Sequence, residues 1–350
     1  MPYRRTLADR LRRLIAAQGP IPVSDYMALA NAHYYATRDP LGLAGDFTTA
    51  PEISQMFGEL IGLALADVWD RAGRPEGVRY VELGPGRGTL AADALRAMRS
   101  AGLRPEVHFI ETSPVLRAAQ AERVPDASWH DDLSTLPDDG PVLAVANEFF
   151  DALPVRQVVA TGTGWRERRV AVDGDRFVPV AGPPVPAAAV PEPLRAAPSG
   201  TQIETSPASL AYARLLAQRI NMHGGTALIV DYGHDRLSVG ETLQAVRMHD
   251  YADPWIEPGE SDLTAHVDFE SLARAASGSG ARVSGPVGQG EWLERLGIAA
   301  RADALARKAP NRLEELKIAK DRLVSPHLMG RLFRVLGLSS PGWPAPEGFS

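Results

Sequence analysis

The sequence has 350 residues and a formal net charge of −6, with 45% hydrophobic and 23% charged residues. This ordinary globular composition excludes a disordered chain, and the length predicts one large elaborated domain or two domains. With 0 cysteines, a disulfide scaffold and a cysteine nucleophile are excluded; the mild acidity argues against nucleic-acid binding, and no apolar run is long enough to span a membrane.

The N-terminal region, residues 1–74, is predicted to form helices and loops. Apolar residues recur at helical spacing near its start and indicate an ordinary amphipathic helix: Leu7, Leu11, Leu14 and Ile15. The arginines between them also fit a mitochondrial transit peptide, although Asp9 departs from the acid-poor pattern of such peptides. Further on, Pro51 is in a position to begin a helix that carries apolar residues as far as Leu65.

Between residues 78 and 146 the pattern alternates between strands and helices. Helices are predicted at 89–99 and 114–122, and strands at 78–82, 107–111, 127–130 and 142–146. Because the strands are nearly continuous apolar runs separated by helices, they predict an α/β fold with a parallel sheet covered on both faces.

The pattern changes after Pro154. Short β-rich segments predict an antiparallel insertion, with strands at 156–160, 165–170 and 176–180. A Pro/Ala-rich linker continues this insertion to residue 200.

The C-terminal part returns to the core pattern. A helix is predicted at 209–222 and a buried strand at 225–231. The long polar connection 232–262 is expected to be functional. The remainder is predicted to be mostly helical, with a tail that frays.

A glycine-rich turn follows the first predicted strand of the sheet. Gly84, Gly86 and Gly88 carry no side chains, so a ligand can approach the backbone and the N-terminus of the following helix. Glu111 ends the next strand, where a carboxylate can accept hydrogen bonds from both ribose hydroxyls of an adenosine ligand. The turn alone would also serve tight strand–helix packing, so it is this acid that favours a nucleoside site.

The spacing and charge of the turn distinguish between nucleoside ligands. The glycines are spaced Gly-x-Gly-x-Gly rather than Gly-x-Gly-x-x-Gly, and the sequence contains no Gly-Lys pair of a P-loop. Glu82 precedes the glycines, and a carboxylate repels a pyrophosphate but attracts a sulfonium or an ammonium group. The turn therefore favours S-adenosyl-L-methionine over NAD.

Several motifs carry a family resemblance, among them ELGPGRGTL at 82–90 and NEFFDALP at 147–154. Others lie at 45–59, 110–114, 230–234, 240–247 and 262–269. Together they resemble the MidA-like class I S-adenosylmethionine-dependent methyltransferases, a family that includes the mitochondrial arginine methyltransferase needed for respiratory complex I assembly. The resemblance implies a Rossmann-like class I methyltransferase sheet with an N-terminal helical extension, an antiparallel β insertion and C-terminal helices.

The resemblance also implies a division of the chain into regions. We expect the methyltransferase core at 75–154 and 201–290. Around it we expect an N-terminal helical region with a lid loop at 1–74, the β insertion and linker at 155–200, and a C-terminal helical region with a tail at 291–350.

The cofactor residues are carried over from the resemblance to matching positions. The three glycines would line the methionine and ribose portions of S-adenosyl-L-methionine, and Glu111 would hold the ribose hydroxyls. Asp131 and Asp132 would lie beside the adenine, although such acids can equally be solvated loop residues. Asn147 ends a strand at the edge where open α/β sheets bind ligands. In the lid loop, Thr48 and Thr49 are expected to reach the methionine carboxylate, with Asp46 and Phe47 facing the substrate.

The segment after the fourth strand supplies acids for methyl transfer. A guanidinium acceptor is protonated at neutral pH, so carboxylates can clamp its planar fork and accept the released proton. Glu148 is the first candidate for this role and Asp151 the second, although Asp151 can alternatively cap a helix. Phe149 or Phe150 can add cation–π attraction, unless they belong to the core.

A second strand end is expected to face the same edge. Asp231 and Tyr232 are assigned to the substrate, and His234 to proton relay, although such a histidine more often hydrogen-bonds a loop. His249 and His266 invite a metal interpretation with nearby acids, but their spacing matches no metal motif, so no metal is expected.

Three functional hypotheses remain open from the sequence. The first is a protein arginine N-methyltransferase acting on a complex I subunit. The second is a methyltransferase for a small-molecule acceptor, and the third is a non-catalytic assembly chaperone that binds the cofactor. The composition suits a bacterial cytoplasm, and a eukaryotic source would place the protein in the mitochondrial matrix.

Overall fold

The computed structural model describes residues 6–38, 46 and 48–349. Helices α1–α12 of this part of the chain span Leu7–Gln18, Val23–Thr37, Ala50–Ile53, Gln55–Arg71, Thr89–Ser100, Pro114–Arg123, Pro207–His223, Phe269–Ser277, Gln289–Arg295, Ile298–Lys308, Leu313–Val324 and Met329–Leu332. Strands β1–β16 span Ile21–Pro22, Arg79–Leu83, Glu106–Ile110, Ser128–His130, Val142–Asn147, Arg156–Thr161, Gly164–Asp173, Arg176–Pro184, Gln202–Thr205, Gly225–His234, Gln244–Arg247, Asp250–Ala252, Asp262–Thr264, Val267–Asp268, Arg282–Gly288 and Phe333–Ser339.

The largest sheet has the strand order β15-β16-β10-β5-β2-β3-β4, with β14 paired to β10. Strands β10, β5, β2, β3 and β4 run parallel, whereas β16 is antiparallel to both β10 and β15. Because parallel strands end at one edge, the turns after β2, β3 and β5 meet there. The predicted α/β class is confirmed.

Helices cover both faces of this sheet, as near-continuous apolar strands require. In β2, Tyr80 joins the hydrophobic core shared with α4 and α5. Val81 and Leu83 of the same strand join the core shared with α7 and α8 on the opposite face. The alternation of side chains along the strand therefore fixes two separate helix layers.

Two smaller sheets flank the core. The predicted antiparallel insertion strands form β6, β7 and β8, and β9 extends them by pairing with β6. The N-terminal region also joins this sheet, since Ile21 of β1 pairs with Val170 of β7. The connection 232–262, predicted only as a long polar segment, forms most of a three-stranded sheet of order β12-β11-β13.

The C-terminal prediction was wrong in two respects. The chain contributes strands β15 and β16 to the main sheet, because the continuous apolar run of β16 is buried on both faces and hides any strand alternation. The tail packs onto the core, where Trp292 Nε1 donates to the Glu347 carbonyl at 3.1 Å.

The helix predicted to begin at Pro51 is divided in two. Ser54 is extended between α3 and α4, with φ −161°. Its side chain accepts a hydrogen bond from the Met56 amide at 3.2 Å and so caps α4.

Candidate active site

A cavity of about 720 Å³ lies at the carboxyl edge of the main sheet. The turns that follow β2, β3 and β5 line one side of the cavity. Helix α2 and the three-stranded sheet form its far wall. Among the described residues that line the cavity, the acidic ones outnumber the basic ones. The basic residues are Arg87 and His266, and the acidic residues are Glu52, Glu82, Glu111, Asp131, Glu148, Asp151 and Asp262. The cavity therefore favours a cationic ligand.

The glycine turn adopts backbone angles that suit glycine. Gly84, Gly86 and Gly88 have φ values of +61°, +55° and +78°. A Cβ atom on Gly84 would lie 2.9 Å from Cδ2 of Phe149. Gly84 and Gly86 line the cavity, whereas Gly88 caps α5 in the left-handed conformation. The turn thus lets a ligand approach the backbone closely at Gly84 and Gly86.

Glu82 is 2% exposed and lies beneath this turn, at the cavity wall. The Tyr80 hydroxyl donates a hydrogen bond to its Oε2 atom at 2.5 Å. Burial raises the pKa of Glu82 to about 8, because this one neutral donor compensates little of the lost hydration. A bound cation beside the carboxylate would stabilise its ionised form.

Glu111 follows β3 and is held by two donors. Its oxygens accept from the Ser113 amide at 2.7 Å and from Gln120 Nε2 at 3.2 Å, and burial raises its pKa. The fully buried Gln120 also donates to the Gly86 carbonyl at 2.7 Å and accepts from Trp129 Nε1 at 2.8 Å. Gln120 therefore fixes the glycine turn relative to Glu111, a role that the sequence analysis missed.

A signal for Gln120 exists in the sequence. It follows Leu116 by four residues on α6, and these two form the buried positions of that helix. A polar residue on an apolar stripe indicates a required hydrogen bond.

The two acids predicted near the adenine separate in the structure. Asp131 lines the cavity and pairs with Arg117 at 2.7 Å. Asp132 is not among the lining residues, and its carboxylate caps the turn 133–135 by accepting from the Ser134 amide at 2.7 Å. The Asp132 side chain is thus used in local capping, and its cofactor role stays a prediction.

The turn after β5 presents Asn147 and Glu148 to the cavity. Glu148 has φ +51°, and its Oε1 accepts from the Ala50 amide at 3.2 Å and from Asn147 Nδ2 at 3.3 Å. Burial and the nearby charge of Asp151 raise the pKa of Glu148 to about 8. Asn147 Oδ1 is buried and has no hydrogen-bond partner among the described residues. A hydrogen-bond donor of a ligand at this oxygen would remove the free-energy cost of burying it without a partner.

Asp151 and Asp231 have different positions. Asp151 lines the cavity at 5% exposure, burial raises its pKa, and its Oδ1 has no partner within the described ranges. Asp231 does not line the cavity; it accepts from the amides of Phe150, Asp151 and Tyr232 at 2.9, 3.2 and 2.9 Å. This carboxylate holds the turn that carries Glu148, and the substrate role of Asp231 stays a prediction.

Aromatic residues complete this end of the cavity. Phe149 lines it and packs edge-to-face on Tyr212 at 5.1 Å, and Tyr232 lines it beside His266. Phe150 is 2% exposed and belongs to the core, as one alternative had it.

His234 is separated from the cavity. It lines a smaller cavity of about 60 Å³, and its Nδ1 is 2.7 Å from the Arg236 carbonyl. Strand β10 continues past Tyr232 to His234, which pairs with Asp268 of β14, and the proton-relay role of His234 stays a prediction.

The far wall contains residues that the sequence analysis did not assign to the acceptor. Asp262 begins β13, is 3% exposed and accepts from the Tyr35 hydroxyl at 2.8 Å. Burial and the charge of Asp151 raise its pKa to about 8. Its place at the end of the connection expected to be functional was the available signal.

Asp46 of the expected lid loop contacts α2 and the turn between β11 and β12. Its carboxylate accepts from the Tyr34 hydroxyl at 2.5 Å and from the Met248 amide at 2.7 Å, and it does not line the cavity. The substrate role expected for Asp46 stays a prediction. Thr49 lines the cavity and Thr48 does not, while Phe47 lies outside the described residues.

In residues 6–38, 46 and 48–349, no cluster of three or more histidine and acidic side chains could hold a metal ion. No helix in these ranges is long and apolar enough to cross a membrane.

A parallel sheet with a glycine turn after one strand and an acid after the next is typical of α/β folds that bind a nucleoside, and Glu82 beneath the turn favours the sulfonium of S-adenosyl-L-methionine. Residues 60–287 match the family described as "Putative S-adenosyl-L-methionine-dependent methyltransferase", and the chain belongs to this family. The resemblance inferred from the motifs, the methyltransferase class and the cofactor S-adenosyl-L-methionine are confirmed.

Individual relatives are similar to this chain over most of its length. The chain is 38% identical to "Protein arginine methyltransferase NDUFAF7 homolog, mitochondrial" of Drosophila melanogaster, over 95% of this chain and 84% of that protein. It is 39% identical to the mouse protein arginine methyltransferase NDUFAF7, over 93% and 82%. A Burkholderia thailandensis protein bound to S-adenosyl-homocysteine has a TM-score of 0.84 at 29% identity, covering 98% of this chain and 94% of that one.

The residues of the cofactor end fit S-adenosyl-L-methionine. Glu82 is a buried carboxylate whose hydrogen-bond donor is the neutral Tyr80 hydroxyl, and Glu111 offers acceptor oxygens to ribose hydroxyls. Asn147 contributes the unpaired acceptor. A dinucleotide would instead place its pyrophosphate against Glu82, which is repulsive.

Proposed function

We propose that the protein is a protein arginine N-methyltransferase that acts on a subunit of respiratory complex I and supports its assembly. The observation that carries this proposal is the acidic acceptor end of the cavity, where Glu148 and Asp151 lie together. The names of the relatives support arginine as the acceptor, and the family resemblance supports complex I as the target.

The cofactor end has assigned roles in this proposal. Gly84 and Gly86 allow the backbone to contact the cofactor, Glu111 binds the ribose, and Glu82 stabilises the positive charge. Asp131, Asn147 and Thr49 contact the remaining polar groups. Gly88 acts on the cofactor indirectly, through the position of the N-terminus of α5. Thr48 also acts indirectly, through the lid loop.

When bound, S-adenosyl-L-methionine supplies an electrophilic methyl group on a sulfonium. Glu148 and Asp151 hold the guanidinium so that one nitrogen faces this methyl group. The product is a protonated methylguanidinium, so one proton leaves the acceptor during transfer. Glu148 accepts it, since its raised pKa makes the ionised carboxylate a competent base.

The rim of the cavity favours a protein over a small molecule. Tyr251 lines the cavity yet is 81% exposed, and Leu332 lines it at 49% exposure. Apolar side chains at a mouth can contact residues that flank a target arginine. Phe149 and Tyr232 line the interior and surround the acceptor side chain.

The compartment follows the source of the protein in this proposal. The cysteine-free composition supports a bacterial cytoplasm. In a eukaryote the mitochondrial relatives support the mitochondrial matrix.

The function is tested by deleting the gene and comparing arginine methylation of complex I subunits by mass spectrometry. Loss of one methylated arginine, restored by the wild-type gene, is expected. Unchanged arginine methylation together with loss of a methylated metabolite would favour the small-molecule alternative. Restoration of assembly by a variant that binds the cofactor but transfers no methyl group would favour the chaperone alternative.

A further inference from the structure

The far wall of the cavity adds a third acid to the acceptor end. Asp262 reaches the cavity from β13, in a sheet separate from the methyltransferase sheet. Strand β13 is an edge strand of that small sheet, and Asp262 pairs with Val246 of β11. This acid therefore comes from a different element than the turn that carries Glu148 and Asp151.

Helix α2 holds this wall at a fixed distance from the turn. Asn31 Nδ2 donates to the Ala152 carbonyl at 3.0 Å and to the Leu263 carbonyl at 2.8 Å. Asn31 Oδ1 accepts from the Leu263 amide at 3.1 Å, and the residue is 6% exposed. One buried amide side chain thus joins the segment after Asp151 to the residue after Asp262.

The same helix orients the carboxylate. Tyr35 lies one turn beyond Asn31 and donates its hydroxyl to Asp262 Oδ1 at 2.8 Å. The Tyr35 carbonyl in turn accepts from Ser113 Oγ at 2.6 Å, which ties the helix to the strand end that carries Glu111. The Asp262 carboxylate is therefore positioned by a neutral donor. The described neighbours that shift its pKa include no basic residue.

Several acids on separate elements suit a planar fork better than a point charge. A guanidinium presents five N–H donors in a fixed plane, so separate carboxylates can bind different edges of it. An ammonium is a compact, strongly hydrated charge and gains less from a further carboxylate. This arrangement would discriminate arginine from lysine.

We infer that Asp262, oriented by Tyr35 and held by Asn31, is a specificity-determining residue that binds the guanidinium together with Glu148 and Asp151. The inference rests on the proposed arginine methyltransferase function. It assigns the choice of arginine to the wall formed by α2 and β13, outside the sheet that binds the cofactor.

The test uses the full chain saturated with S-adenosyl-homocysteine. Binding of N-acetyl-arginine amide, N-acetyl-lysine amide and the neutral N-acetyl-citrulline amide is measured by NMR titration. Wild type is expected to bind the arginine probe at least about tenfold more tightly than either of the others. Asp262→Asn should lose about tenfold in affinity for the arginine probe, and Tyr35→Phe about threefold.

A matched control separates local charge from the site. Asp250 is an exposed acid on β12 of the same small sheet, so Asp250→Asn should leave probe binding unchanged. Affinity for S-adenosyl-homocysteine should be unchanged in all three variants, which also reports that each is folded.

The outcomes distinguish the inference from the proposed function. If wild type selects the arginine probe and both Asp262→Asn and Tyr35→Phe retain that selectivity, the inference is wrong and the proposed function stands. If wild type does not prefer arginine over citrulline, both are wrong.

Discussion

The two ends of the cavity are assembled from different kinds of segments. The cofactor end comes from successive strand ends of one parallel sheet, where Glu82, Glu111 and Asn147 follow or end β2, β3 and β5. The acceptor end combines the turn after β5 with α2 and β13, so Asn31 contacts residues more than one hundred and two hundred positions away. The cofactor end depends on local sequence, whereas the acceptor end depends on tertiary contacts.

This difference implies that the two ends can be altered separately. Changes to the glycine turn should affect cofactor affinity, and changes to the acids near the acceptor should affect turnover or acceptor binding. Each of the following experiments measures at least one of these two properties: the affinity for the cofactor, or the turnover and binding of the acceptor.

The largest effect is expected for Glu148→Gln. Removing the proposed base should lower kcat by about 10²- to 10⁴-fold while affinity for S-adenosyl-homocysteine changes less than about twofold. Kinetics with labelled cofactor and calorimetry give the two values. Asp132→Asn is the matched control, because Asp132 lies outside the cavity lining and asparagine can also cap a turn. Equal losses in both variants would contradict the assignment.

The second largest effect is expected for Gly84→Ala. The added Cβ would be 2.9 Å from the Phe149 ring at a backbone with φ +61°, so cofactor affinity should fall by about 10- to 100-fold. Gly77→Ala is the control, since it has φ +66° and open space around the added atom. It should lower stability by about 1 kcal/mol and leave cofactor binding intact. Wild-type cofactor affinity in Gly84→Ala would contradict the close approach.

A smaller effect is expected for Gln120→Ala. This change removes the hydrogen bonds to the Gly86 carbonyl and to Glu111, so cofactor affinity should fall by about tenfold. A double-mutant cycle with Glu111→Ala measures their coupling. Strict additivity of the two changes would show that Gln120 does not act through Glu111.

The smallest effect concerns pH at the acceptor end. The pKa of Glu148 is about 8, so below this pH the free carboxyl is mainly neutral and attracts a cation weakly. Affinity for N-acetyl-arginine amide should therefore rise about fivefold between pH 7 and pH 9, because the guanidinium stays charged throughout. Titrations at several pH values check this, and Glu148→Gln should reduce the rise in affinity, with the remainder due to Asp262, whose pKa is also raised to about 8. Affinity that decreases with rising pH would contradict the prediction.

Sequence reasoning located the parts of the site that depend on near neighbours. The glycine turn and Glu111 were found because strand, turn and acid follow one another within thirty residues of chain. The cap formed by Asp132 and the contact of His234 with the Arg236 carbonyl were not predicted, because a local turn or continuation of the strand sets the side-chain direction at a strand end. The contacts of Asp231 with the amides of Phe150 and Asp151 were not predicted, because these residues lie about eighty positions away in the chain.

The remaining failures have the same physical origin. The pairing of Tyr35 with Asp262 spans more than two hundred residues, and no periodicity within either segment indicates it. Strand β16 resembles any buried apolar run until β10 and β15 are placed on either side of it. Tertiary contacts therefore decided what the local pattern left open.

The most direct test of the acceptor assignment is transfer of a labelled methyl group from S-adenosyl-L-methionine to protein from cells that lack this enzyme. Acid hydrolysis and amino-acid analysis then identify the labelled residue. The acidic acceptor end predicts label on a guanidino nitrogen of arginine, dependent on Glu148. Label recovered on lysine, on a base-labile carboxyl ester or only in small molecules would contradict a guanidinium-binding site.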